Sequence, residues 1–402
     1  MAVRTEIPKI ISVDDHLVEP AHLWQSWLPE RFKERGPRVE RRRVGPITYI
    51  GGAKMYTYEL DVEDGPWGDV WFYEDLVYPN KRHVAAVGFD RDDMEAVPIT
   101  FDEMRPGCYE PKARVEDMEM NHVEASLSFP TFPRFCGQTF LEADDKDLAL
   151  ACVQAYNDFM IEEWCGDSDG ALIPLAIIPL WDVELAKAEV ERNAARGCHA
   201  VCFSEIAPNL GLPSIHTGNW DPFFAACQDT NTAVCMHIGS SSVMPAASPD
   251  APPAVAASLS FNNAIASMSD FLFSGVLVKF PQLKLAYSEG QIGWIPYILE
   301  RCDDVWSEHR AWGGVRDTIP EPPSTYYYRQ IFGCFFRDNH GLKSLDEVGV
   351  DNVTFETDYP HTDTTWPHTK KVAEDMMGHL PPDVVHKLVR GNAARLLNLD
   401  ID

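Results

Sequence analysis

Residues 172–205 read LIPLAIIPLWDVELAKAEVERNAARGCHAVCFSE. An apolar, β-rich run (Leu172–Pro179) leads into a helix-like stretch (Asp182–Arg196) and then a second apolar run (Ala200–Glu205). A helix between two such runs implies parallel strands joined by a crossover. The alternation continues in both directions. Upstream lie Ile10–His16 (IISVDDH) and Val123–Pro130 (VEASLSFP); downstream lie Ala233–Ile238, Leu283–Glu289, Gln330–Phe336 and Asn352–Asp358. Helix-like segments at Asp147–Trp164, Trp220–Thr230 and Ile295–Trp312 fall between them. Eight strand candidates alternating with helices predict an α/β fold, a (β/α)8 TIM barrel, with residues 1–402 as one domain. The first interval breaks the rhythm, because about a hundred residues separate the first two runs. Residues 36–110 are rich in Arg, Gly, Tyr, Trp and Pro and are expected to form an insertion covering the C-terminal mouth of the barrel.

Charge narrows the function. The chain of 402 residues carries 34 Lys+Arg against 62 Asp+Glu, a net charge of −28. Such a surplus disfavours nucleic acid and anionic membrane surfaces, both of which need clustered cations. With 45% hydrophobic and 24% charged residues the composition is that of a globular protein. No apolar run reaches the roughly 20 residues of a membrane span, and MAVRTEIPK lacks the apolar centre of a signal peptide. The ten cysteines form no CxxC pair and read as reduced core thiols, Cys235 among them, of a cytoplasmic protein.

In a barrel of this kind chemistry collects where the strands end. The first strand ends in Asp14-Asp15-His16; side chains two apart share a face, so Asp14 and His16 point inward and Asp15 away. The fifth carries His237, the sixth ends at Glu289, and the eighth ends at Asp358 with His361 in the loop beyond. Three carboxylates and three imidazoles thus converge on one rim. Burying the carboxylates together is costly without cations, so metal binding is expected.

These residues lie in segments that resemble the amidohydrolase superfamily, in the branch of amidohydrolase-related decarboxylases. The resemblance spans nearly the whole chain through SVDDHLVEP, SFPTFPRFCGQ, the 172–205 stretch, WDPFFAACQDTNTAVCMHIGSS, FPQLKLAYSEGQIGWIPYILER, TDYPHTDTTWP and GNAARLLNLD. It implies that Asp14, His16, His237 and Asp358 bind one divalent metal. The sixth strand departs from the family pattern, which has a His in a His-x-Gly-x-x-Pro context. Here Ser288-Glu289-Gly290 leads to Trp294-Ile295-Pro296. A carboxylate there suits a second cation, with His361 as another nitrogen. Three carboxylates (−3) and two divalent ions (+4) are balanced by one hydroxide. A small branch of the superfamily carries such a dinuclear, oxygen-activating centre of iron with iron or manganese. By that resemblance the leading expectation is an O2-dependent dinuclear iron monooxygenase hydroxylating a C–H bond, with Asp14, His16, His237, Glu289, Asp358 and His361 as ligands. The alternative is a zinc- or manganese-dependent hydrolase or non-oxidative decarboxylase in which Glu289 is the general base. A third possibility is a non-catalytic partner subunit that retains the fold.

Around the rim, Arg134 is a candidate for binding a substrate carboxylate, and His216, Trp366 and His368 for facing the substrate. Glu205 and Glu356 are candidates for supporting the ligands, while His122 reads as structural. The substrate is expected to be a small, largely apolar organic molecule. A homo-oligomer is expected by resemblance.

Overall fold

The computed structural model describes residues 4–49 and 56–400. Eight parallel strands form the barrel: β1 (Ile10–His16), β2 (Val123–Phe129), β3 (Leu172–Ile173), β4 (Ala200–Cys202), β5 (Ala233–His237), β6 (Leu285–Ser288), β7 (Ile331–Phe335) and β8 (Val353–Phe355). Regular pairing joins β1 to β2 to β3, and β4 through β8 in order. A parallel bridge from Ala176 to Val201 links the two arcs. The ring closes where Asp358 N–H donates to the Asp14 carbonyl (3.0 Å) and His16 N–H to that of Tyr359 (2.6 Å).

Several strands are shorter than the apolar runs suggest. The run 172–179 pairs regularly only at Leu172–Ile173, because Pro174 and Pro179 have no N–H to give a ladder. β6 and β8 stop before Glu289 and Asp358, whose backbones turn left-handed at φ 55° and 49°. The helices fall where expected, at Lys146–Phe159, Val183–Ala194, Asp221–Asp229 and Ile295–His309. Asp182 begins the second of these by accepting from Glu184 and Leu185 N–H (2.9 and 3.1 Å). No helix among the described residues is long and apolar enough to cross a membrane, and all ten cysteines are free and buried.

The segment after β1 carries an antiparallel sheet of Arg38–Arg43, Trp67–Tyr73 and Leu76–Pro79. Residues 50–55 of the expected insertion lie outside the described residues. Trp71 anchors this sheet, its ring 5.2 Å from Trp24 and 4.8 Å from Phe132. Further along, Val18, Ala85, Val87, Ile99, Met104, Cys108 and Tyr359 form a separate apolar cluster. Ala86 N–H donates to the Pro360 carbonyl at 2.7 Å. The insertion therefore packs against the loop that follows β8.

Candidate metal centre

Asp14 and His16 are delivered to the barrel axis by an irregularity in β1. Ser12 pairs with Ser126 but Asp15 pairs with Ser128, so β1 spends an extra residue over that interval. Asp15 faces the other way and accepts from Ser12 and Thr357 hydroxyls (3.1 and 2.5 Å), from the Ser126 hydroxyl, and from Tyr359 N–H (3.0 Å). The six expected groups meet. His16 Nε2 lies 3.1 Å from His237 Nε2, 3.5 Å from Asp14 Oδ1 and 3.6 Å from Asp358 Oδ1. His237 Nε2 lies 3.4 Å from Asp14 Oδ2 and 3.5 Å from Glu289 Oε2, and His361 Nδ1 lies 3.2 Å from Asp358 Oδ1. Ligands bound at about 2.1 Å sit about 3.0 Å apart around an octahedral ion and about 3.4 Å around a tetrahedral one. Two groups of residues each bring one ligand atom per side chain within 4.8 Å of the others: Asp14, His16 and His237, and His16, Asp358 and His361.

The nest is negative: among the described residues the ion-pair partners of Asp14, Glu289 and Asp358 are histidines, with no Lys or Arg. Asp14 and Asp358 are fully buried, and no N–H or hydroxyl donor reaches any of their four carboxylate oxygens, whose side-chain hydrogen-bond neighbours are the carboxyls of Glu356 and Glu289. Such orphaned acceptors are rare and costly, and a divalent ion satisfies them. Burial first, then Glu356, Glu289 and Asp358, drives the Asp14 carboxyl well above its ordinary range. Burial, then Asp358, does the same to Glu289, and burial, then Asp363, to Asp358. Burial holds the imidazoles neutral: His237 is lowered to about 3, His361 to about 4, and His16 well below its usual value. Neutral imidazole is the ligating form. His237 Nδ1 donates to the Ile238 carbonyl (2.6 Å), which directs the Nε2 lone pair at the nest. The donor set fits a divalent ion.

The six groups are not equally deep. The side chains of Asp14 and Asp358 are 0% exposed and those of His16 and His237 1%, whereas Glu289 and His361 are 14% and 15% exposed. Four groups form an inner set, and two are more exposed to solvent. Phe135 stacks on His237 at 4.2 Å between centroids, and His361 stacks on His16 at 3.7 Å. Glu356, two residues before Asp358, accepts from Glu289 N–H (3.1 Å) and from the Cys334 thiol (2.5 Å). This bond secures the left-handed turn at Glu289, a conformation that costs a non-glycine residue about 1 kcal/mol or more. Glu205 accepts from Gly239 N–H, the Ser241 hydroxyl and the Asn263 amide, fixing the loop after His237.

Among the described residues, the hydrogen bonds, ion pairs and ring contacts of Arg134, His216 and Trp366 do not reach the six. Arg134 binds Glu142 (2.8 and 2.9 Å) and Ser242. His216 pairs with Asp270 at 2.6 Å, both about half exposed. Trp366 donates to the Asp117 carbonyl (3.3 Å) beneath the Arg105 guanidinium. His122 bonds the Ile7 carbonyl, a structural place. Sequence reasoning missed Phe135 as a cover for His237, and it missed the support given by Arg114. Arg114 is buried, donating to the Gly107 carbonyl (2.7 Å), the Ser128 hydroxyl (3.3 Å) and the His16 carbonyl. In the sequence it is one arginine of an ordinary helix, and nothing local distinguishes it.

A pH dependence follows. Burial pushes Glu19, Glu205 and Glu356 up to about 7 from an ordinary 4.5, and Asp14, Glu289 and Asp358 are raised as well. Groups raised on folding stabilise the fold while protonated, and that stability is lost as pH climbs through the folded value. The buried imidazoles act oppositely, costing stability as pH falls below their ordinary 6.5. Lys81, lowered to about 7, opposes the acids with a single proton. The metal-free protein is thus expected to gain stability from about pH 8 to about pH 6.5 and then level off. Urea midpoints measured after chelation test this; a midpoint rising with pH over that range contradicts it.

Comparison with known proteins places the geometry in context. Residues 21–399 match the family described as Amidohydrolase. Among solved structures, an amidohydrolase from Mycobacterium avium subsp. paratuberculosis superposes with a TM-score of 0.69 at 20% identity, over 97% of this chain and 99% of that one. A 5-carboxyvanillate decarboxylase from Sphingomonas paucimobilis gives 0.61 at 17% identity, covering 98% and 99%. A dihydroxybenzoic acid decarboxylase from a Polaromonas species, solved with bound manganese and an inhibitor, gives 0.59 at 16% identity, covering 98% of each chain. At these identities the likeness is one of fold.

Proposed function

Because the chain belongs to the amidohydrolase family, we propose that it is a divalent-metal enzyme performing non-oxidative chemistry, decarboxylation or hydrolysis, on a small and largely apolar organic substrate. The observation that carries this reading is the inner set itself: Asp14, His16, His237 and Asp358, buried, with four carboxylate oxygens that no N–H or hydroxyl donor reaches. The manganese and the decarboxylase names of the Polaromonas and Sphingomonas proteins support it. A divalent ion supplies a Lewis acid for a substrate oxygen and lowers the pKa of a bound water. The remaining work falls to this chain's residues. His16 and His237 stay neutral and oriented, and Phe135 keeps water from the outer side of His237. Glu289, 14% exposed and 3.5 Å from His237, stands beside the inner set and is the proton carrier. In a decarboxylation it delivers the proton that replaces CO2 on carbon; in a hydrolysis it takes the proton of the attacking water.

A second reading has one specific observation in its favour. The more exposed Glu289 and His361, with Asp358, offer a further set of ligands, and a carboxylate stands where the family pattern has an imidazole. Two ions would then be held, and the chemistry would be O2-dependent hydroxylation by iron, alone or with manganese. Glu289→Gln separates the two. Under the proposed function the variant keeps one metal per chain and loses about 10²- to 10⁴-fold in turnover, and the unsubstituted enzyme works equally well without O2. Two metals falling to one in the variant, with O2 uptake matching product, overturns it in favour of the second reading.

A further inference from the structure

Lys81 follows the insertion strand Leu76–Pro79 and is 4% exposed. Its ammonium lies 3.6 Å from the centre of the Tyr78 ring and 5.5 Å from that of Tyr56, and donates to the Pro79 carbonyl at 3.2 Å. Among the described residues no carboxylate pairs with it, whereas Lys33, Lys187, Lys279, Lys371 and Lys387 each have one. Among the described residues two cationic side chains are buried, Arg114 and Lys81, and neither has a carboxylate ion pair; Arg114 is satisfied by two carbonyls and a hydroxyl, whereas Lys81 donates to one carbonyl. An aromatic face and one carbonyl leave ammonium hydrogens unused. A second basic group stands close by. His83 Nε2 bonds the Tyr56 hydroxyl at 3.3 Å, and its Nδ1 is buried without a partner.

This box is wedged between the loops that carry the metal-site groups. After the turn Arg82–Val84, the Ala86 and Val87 N–H groups donate to Pro360, next to His361 (2.7 and 3.3 Å). His83 feels the charges of both Lys81 and His361. On the other side the Tyr78 ring lies 6.1 Å from Phe132, in the loop that sets Phe135 on His237. We propose that Lys81, with Tyr56, Tyr78 and His83, forms a subsite for an organic carboxylate with a flat, apolar body, the end of the substrate that the insertion recognises. Burial, which lowers the Lys81 ammonium to about 7, is offset when such an anion arrives. The inference rests on the proposed function only for its location beside the metal centre.

The test is calorimetric titration of the manganese-loaded protein with benzoate and 3-phenylpropionate, each against its neutral amide. At least one acid is expected to bind about tenfold or more tightly than its amide. Lys81→Met should weaken acid binding about ten- to a hundredfold, leaving amide binding and metal content unchanged, and Lys81→Arg should restore most of it. Equal acid binding by Lys81→Met and the unsubstituted protein overturns the proposal. So does the absence of any acid-over-amide preference in the unsubstituted protein, a result that decides the matter even if Lys81→Met does not fold. Metal content is read separately, so a failed subsite is distinguishable from a failed metal centre.

Discussion

Asp358→Ala is expected to leave the protein without tightly held divalent metal and to lower turnover at least about a thousandfold, the loss of several kcal/mol of charge stabilisation. Asp358 has no exposed side-chain surface, no N–H or hydroxyl donor reaches either carboxylate oxygen, and it lies 3.6 Å from His16 and 3.2 Å from His361. No other residue at the end of β8 can replace it, because Glu356 is committed to Glu289 N–H and Cys334. The substitution also carries a stability signature of unusual sign. Without metal, removing a buried carboxylate that faces Asp363 and Glu356 relieves repulsion, so metal-free Asp358→Ala should be at least as stable as the metal-free parent at pH near 8. Manganese at a hundred times its dissociation constant should stabilise the parent by about 2.7 kcal/mol and the variant hardly at all. Elemental analysis and thermal unfolding with and without manganese check both halves. A variant destabilised without metal, or stabilised by it like the parent, contradicts the assignment.

Arg114→Met is expected to have the largest effect on folding, about 3–5 kcal/mol, read as a lowered urea midpoint. The guanidinium is buried and holds three separate segments: the carbonyls of His16 at the end of β1 and of Gly107 at the end of the insertion, and the hydroxyl of Ser128 on β2. Its plane lies 4.2 Å from the Tyr359 ring, in the loop after β8. Methionine fills similar volume but leaves two buried carbonyls without donors and removes the positive charge that favours ionised Asp15. Since Asp15 ties β1 to Thr357 and Tyr359, the closing seam of the barrel should loosen as well. Metal affinity is expected to drop with it, because His16 loses the anchor of its own carbonyl. A midpoint within about 1 kcal/mol of the parent would show that the seam does not depend on this residue.

The barrel was legible because its signal is periodic and local. The run IISVDDH forms β1 at the expected residues, and side-chain parity alone separated Asp14 and His16 from Asp15. His237, Glu289 and Asp358 were found as strand ends, a reading that needs only the order of strands. What escaped depends on tertiary docking. Phe135 reaches His237 through a loop containing a left-handed Arg134 (φ 61°). His83 comes within electrostatic reach of His361 only because the insertion folds back onto Pro360. Glu289 and Asp358 owe their direction to left-handed backbones that no propensity marks for Glu. The depth difference between the inner four groups and the two more exposed ones is a property of the folded surface, so spacing cannot reveal it.

The most direct measurement is an anomalous-difference map from crystals of the full chain grown with manganese, collected at the metal edge. A strong peak enclosed by Asp14, His16, His237 and Asp358 is the result expected here, with a second peak toward Glu289 and His361 only if two ions are held. A map with no peak among these side chains, or with its strongest peak elsewhere on the chain, would contradict the claim that they are gathered to hold a cation.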